Sequence, residues 1–388
     1  MLDAIPFPGK SCEVPARTTS PRAGADRSGT FRNADPGGEH DIIELNRNHN
    51  DCGTGGRHAT PRSRKEISMA LVPPFRGILP ALQVPYLEDF SIDEPELRRF
   101  VRWLAAHEGI GGLVTNGHTG EVFALRAEER AEVTRIVADE VGGRLPVVSG
   151  ICCESVDEAV EHALAARHAG ASGLLVMPPH YWLRFGMKPE HVVEHFTEIG
   201  KAAQINLIVH VYPAWTKAGY SSELLAELAK LPWVSTFKVG TREMSQYDRD
   251  IRAIRSAAPE KTILTCHDEY LLATMVQGVD GALVGFASFI PELITALYRA
   301  VCEGDLREAQ AIQSRIYGLK SVVYAAGEPS GEAHARMKAA MVMAGRFRSE
   351  RTRPPIRPPQ GEIRERIRSA VEEAALASLA EPHAVTGS

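Results

Sequence analysis

The chain has 388 residues, 44% hydrophobic and 24% charged, an ordinary globular composition with enough apolar material for one large core. Its formal net charge of -5, with acidic and basic residues interspersed, leaves no electrostatic footprint for nucleic acid or an anionic membrane, and no run of about 18 apolar residues reads as a membrane span. Six scattered cysteines (Cys12, Cys52, Cys152, Cys153, Cys266, Cys302) lack CxxC spacing, so neither a disulfide framework nor a zinc ribbon is suggested, and reduced thiols in a cytoplasmic protein with small-molecule partners are expected.

Residues 1–68 are rich in Gly, Pro, Arg, Ser, Asn and Asp and carry no apolar period, so they cannot bury enough surface to offset their ordering entropy and are expected to be a disordered extension. Met69 is followed at once by Ala70, Leu71 and Val72, which raises the reading that the upstream stretch is an over-extended start of translation. Beyond it, short aliphatic runs alternate with stretches of helical spacing, the mark of repeated βα units. Strands are predicted at 78–84, 112–116, 146–151, 173–177, 206–212, 233–239, 262–266 and 282–285. Helix starts are signalled by Asp93 before Glu94, by Ser155 with Glu158 three residues on, and by Ser221 and Ser222 before Glu223. Eight alternations in this length fit an α/β (β/α)8 barrel over residues 69–304 better than an open sheet. An eighth helix from Pro291 and helices at about 305–323, 332–345 and 361–378 follow, and the region 305–388 is expected to form a C-terminal three-helix appendage.

In such a barrel chemistry sits at the C-terminal ends of the strands. The residues there include Gly117, His118, Thr119 and Glu121 after the second strand, and His180 and Tyr181 after the fourth. His210 and Tyr212 lie on the fifth, Lys238 on the sixth, and His267 and Asp268 follow the seventh. Lys238 ends an apolar run and shares a strand face with Val234 and Thr236. A dry barrel mouth favours the neutral, nucleophilic amine, although a lysine snorkelling to solvent gives the same pattern. Gly117-His118-Thr119-Gly120-Glu121 suits a turn whose amides and hydroxyl face a carboxylate, and also suits a plain tight turn.

Gly117 to Glu121 resembles the Gly-Thr-Thr-Gly-Glu motif of the dihydrodipicolinate synthase and N-acetylneuraminate lyase superfamily. Pro179-His180-Tyr181 is similar to that superfamily's Pro-Tyr-Tyr, and His210-Val211-Tyr212-Pro213 to its Tyr-Asn-Val-Pro. The step of 25 residues from Pro213 to Lys238 (238 - 213) equals the family spacing to a Schiff-base lysine. Gly285-Phe286-Ala287-Ser288, Met337-Lys338-Ala339-Ala340 and Arg357-Pro358-Pro359 extend the likeness, which covers about residues 75–378.

The resemblance implies a lyase or class I aldolase in which Lys238 condenses with a 2-oxo acid such as pyruvate while Thr119 and the amides of residues 118 and 119 hold the carboxylate. No cofactor or metal is implied. The family's tyrosine matching Tyr181 reaches across a subunit boundary, so a homo-oligomer, dimer or tetramer, is expected. The departures are His118 at a relay hydroxyl position, His210 at the catalytic tyrosine position, and Trp215 where the biosynthetic synthase has a carboxylate-gripping arginine. His210 is then the candidate acid and base with Tyr212 as its fallback, and the aldehyde partner is expected to be less acidic than aspartate semialdehyde. Three alternatives stay open: a sugar-acid dehydratase or decarboxylase on the same scaffold, a metal-dependent enzyme using His118, His180, His210, His267 and Asp268, and a barrel that only binds a 2-oxo acid.

Overall fold

The computed structural model describes residues 74–213, 217–268, 270–325 and 332–376. Among these, eight parallel strands, β1 (Gly77–Pro80), β2 (Leu113–Thr115), β3 (Val147–Ile151), β4 (Gly173–Val176), β5 (Asn206–Val211), β6 (Val234–Val239), β7 (Thr262–Thr265) and β8 (Gly281–Val284), follow the order β1-β8-β7-β6-β5-β4-β3-β2. The two ends of that order meet through single parallel bridges, Ile78 with Ile110 and Ala81 with Val114, and Leu82 N–H donates to Val114 O at 2.8 Å. The sheet therefore curls into a nearly closed barrel with helices between its strands, as expected from the sequence.

All eight predicted strands are present. The first is shorter than 78–84 because its ladder partner, β8, ends at Val284, after which Gly285 opens the helix Phe286–Phe289. Three helix starts carry the expected caps. Asp93 accepts from Glu96 N, Ser155 from Glu158 N and Ser221 from Leu224 N.

Strand alternation sorts each side chain to one of two cores. Leu79, Ala81, Val114, Val148, Leu175, Ile208, Leu264 and Leu283 point inward, and with Phe75 fill the barrel as a dry plug. Outward residues such as Leu207, Val209, Phe237 and Val239 pack under the helices. Toward the mouth the inward positions become polar, for Ile208 is followed two residues on by His210 and Thr236 by Lys238. The plug thus forms the floor of the site.

After the helix Pro291–Glu303, the helix Leu306–Val323 packs against it, and the helices Ala333–Met343 and Gly361–Glu373 pack against Leu306–Val323 and against each other. Lys338, fully buried, forms an ion pair with Glu121 and donates to Val84 O at 2.9 Å and Arg351 O at 2.8 Å. Of the two Arg-Pro-Pro triplets in the link before the last helix, the first is the embedded one. Arg353 makes a bidentate pair with Glu129 at 2.6 Å and lies over the Tyr86 ring at 4.8 Å, whereas Arg357 is exposed. Cys152, Cys153 and Cys266 are free thiols as expected. Residues 1–68 and Trp215 lie outside the described residues.

Candidate active site at the barrel mouth

The turn after β2 is set by Asn116, which adopts a left-handed backbone (φ 55°) that asparagine tolerates better than most residues. Its Nδ2 donates to Arg130 O, Thr134 Oγ1 and Ser149 Oγ at 2.8 to 3.0 Å, tying the turn to the neighbouring helix and to β3. Residues His118–Gly120 form one 3₁₀ turn whose bonds run from Gly120 N to Gly117 O and from Glu121 N to His118 O, both 3.0 Å. The N–H groups of His118 and Thr119 stand at its open start, outside those two bonds. A Cβ on Gly117 would meet nothing nearer than Ala81 Cβ at 4.0 Å, an ordinary contact, so that position is uncrowded. At Gly120 it would meet Leu82 O at 2.9 Å, so this glycine serves close packing.

Strand register places His210 of β5 directly beside Lys238 of β6. His210 is buried, its Nδ1 has no partner among the described residues, and its ring meets the edge of Tyr212 at 4.8 Å. Lys238 is half-buried, and no hydrogen bond or ion pair engages its Nζ among the described residues. Beneath it Thr236 is sealed by hydrogen bonds to Thr262 Oγ1 at 2.8 Å and Ser235 Oγ at 3.2 Å. Tyr212 OH and His118 Nε2 are 3.1 Å apart, and the His118 ring stacks on Phe123 at 5.1 Å. Lys238, His210, Tyr212 and His118 thus make a continuous set across β6, β5 and the turn after β2.

Burial decides the protonation of this set. Desolvation, then the charge of Lys238, holds His210 well below the ordinary imidazole range, and the same two causes lead in bringing His118 down to about 3. Desolvation pushes the Tyr212 phenol well above its ordinary value. All three are neutral at neutral pH. His210, whose residue type suggests titration near neutrality, is thus held as a neutral ring by its surroundings.

The other predicted residues divide. Thr119 is buried, and a Cβ built on Gly285 would lie 2.8 Å from its Oγ1 and 3.0 Å from Tyr324 OH, so Gly285 keeps room for both hydroxyls. Tyr181 sits at the rim on the helix His180–Phe185, 44% exposed. His267 and Asp268 turn to structural partners: His267 Nε2 to Thr241 O at 2.5 Å, and Asp268 Oδ1 to Phe286 N at 2.8 Å. The five-residue metal cluster weighed from sequence is therefore not assembled among the described residues, because His118 and His180 meet Cys152 instead. Sequence reading also missed Tyr324 and Arg242. The Arg242 guanidinium donates to Gly240 O and Cys266 O, both at 3.2 Å, and its charge reaches His210.

The described residues thus form a (β/α)8 barrel that carries a lysine near the C-terminal end of its sixth strand, in register with a buried histidine. The family model described as the dihydrodipicolinate synthetase family matches residues 74–374, and the chain belongs to that family. It is 32% identical over 310 residues to a 4-hydroxy-tetrahydrodipicolinate synthase of Rhodopseudomonas palustris, covering 79% of this chain and 99% of that one. It is 28% identical over 249 residues to a probable 2-dehydro-3-deoxy-D-pentonate aldolase of Escherichia coli K12, covering 64% and 81%. The crystal structure of YagE from E. coli K12 in complex with pyruvate, a protein of the same family, superposes with a TM-score of 0.71 at 25% identity, covering 78% of this chain and 99% of that one. The protein is an enzyme of the lyase and aldolase type.

Proposed function

We propose that Lys238 forms a Schiff base with the ketone of a 2-oxo acid such as pyruvate, and that the second reactant is an uncharged aldehyde. The observation that carries this reading is the place of Lys238, above an apolar plug, unpaired among the described residues and in register with His210. The amine attacks the keto carbon as the carbonyl π pair moves to oxygen, and the resulting carbinolamine loses water to give an iminium. The iminium draws electrons from the adjacent carbon, which gives up a proton and, as an enamine, attacks the aldehyde carbon. Water then releases the product and restores the amine. The same steps in reverse cleave the bond.

Thr119 and the amides of His118 and Thr119 hold the carboxylate, with Gly117 leaving it space. His210, in register with Lys238, and Tyr212, against its ring edge and linked to His118, are the pair placed to exchange protons with the substrate. An uncharged aldehyde is supported by the aromatic rim of Phe123, His118 and His180. The aldolase relative, named for a 2-dehydro-3-deoxy sugar acid, supports such a compound as the source of both halves. The exposed Tyr181 ring supports a homo-oligomer in which a second copy covers this rim.

A panel of 2-oxo acids against uncharged aldehydes and aspartate semialdehyde tests the assignment. Turnover should favour uncharged aldehydes, with Lys238→Ala at background and His210→Ala reduced about 10²-fold. Equal or faster turnover of aspartate semialdehyde would contradict the assignment of the second reactant.

A further inference from the structure

Three neighbouring strand ends each deliver one soft donor to the same edge of the mouth: His118 after β2, Cys152 just after β3 and His180 after β4. One ligand atom from each lies within 4.8 Å of the other two. The Cys152 Sγ is 3.9 Å from both ring nitrogens of His180. A tetrahedral zinc ion, with Zn–S about 2.3 Å and Zn–N about 2.0 to 2.1 Å, places such donors roughly 3.3 to 3.5 Å apart, so small side-chain movements close the set.

A second observation points the same way. The Glu154 carboxylate accepts from the amides of His180 and Tyr181 at 3.1 and 2.9 Å, and its Oε1 stands 3.3 Å from His180 Nδ1. A carboxylate fixed on one ring nitrogen orients the imidazole and leaves the other nitrogen for an ion, the usual support of a metal-bound histidine. One thiolate and the Glu154 carboxylate together balance a divalent charge. Two imidazoles with a thiolate select a borderline-soft ion over magnesium or calcium.

We infer that His118, Cys152 and His180 bind one divalent transition-metal ion of the zinc class, and that this ion inhibits the enzyme by taking His118 away from Tyr212. Binding exchanges the thiol proton for the metal and releases that proton to solvent, with a water completing the coordination. The binding claim stands on the geometry alone, whereas the inhibition rests on the function proposed above.

Cobalt(II) titration of the chelator-treated full chain tests both parts. One equivalent of cobalt should give a thiolate charge-transfer band with tetrahedral visible bands, displaced by zinc. Cys152→Ser should lose the charge-transfer band while keeping the parent's circular dichroism and basal turnover. His180→Gln, altering a half-buried ring whose loss does not threaten the fold, should weaken binding at least about tenfold, and Glu154→Gln about tenfold. Zinc should lower turnover of the parent but not of Cys152→Ser. A missing thiolate band, or one that persists in Cys152→Ser and so reports the separate cluster of Cys153, Glu158 and His162, would overturn the site. A band present without loss of turnover would overturn the inhibition only. Because the spectrum needs no substrate, a failed Schiff-base assay leaves the binding result readable.

Discussion

Lys238 and His210 were legible as residues because strand alternation with period two puts them on the same inward face as Thr236 and Ile208. The protonation of His210 was not, since it depends on desolvation and on charges brought from other strands. The same holds for Gly285, which the sequence marks only as the end of the eighth strand and the start of a familial segment but which stands beside the hydroxyls of Thr119 and Tyr324. A methyl group there would meet Thr119 Oγ1 at 2.8 Å, under the contact distance, and displace the hydroxyl assigned to the substrate carboxylate. Gly285→Ala should therefore raise KM for the 2-oxo acid about tenfold, roughly the loss of one hydrogen bond to a charged group, with a smaller change in kcat. Steady-state kinetics on the purified variant reads this, and an unchanged KM would remove Thr119 from that role.

At the scale of elements, the strands and capped helices announced themselves through apolar runs and Ser or Asp at helix starts. What stayed hidden was the tie between distant elements. Glu121 closes the turn after β2 and pairs with Lys338, 217 positions along the chain, so the helix Ala333–Met343 braces the site from behind. Arg353 adds a second brace through Glu129. Hydrogen bonds from Arg353 hold the Glu129 carboxyl below the usual carboxylate range. A depressed carboxylate pKa stabilises the fold above the unfolded value of about 4.3, and that contribution is lost as pH falls through this value toward the folded one. Glu129→Gln should cost about 0.5 to 1 kcal/mol at neutral pH, the modest figure expected for a pair partly open to solvent. The difference in melting temperature should shrink as pH is lowered from about 6 to about 3.5 across the unfolded pKa. Parallel curves for the two proteins would remove this pair from the account. The two Arg-Pro-Pro triplets look alike in sequence and differ in what they touch, Arg353 being paired with Glu129 while Arg357 is exposed.

For the whole molecule, eight alternating units announced the barrel, and the family match over residues 74–374 agrees with it. No helix among the described residues is long and apolar enough to cross a membrane. The barrel alone does not choose a reaction, because the same scaffold carries many. The choice rests on Lys238 reaching a ketone carbon, and sodium borohydride reduction in the presence of pyruvate followed by peptide mass mapping tests it most directly. One pyruvate-derived adduct per chain should appear on the peptide carrying Lys238 and be absent from Lys238→Ala. A full panel of 2-oxo acids that leaves that peptide unmodified, in enzyme that is otherwise active, would contradict the account.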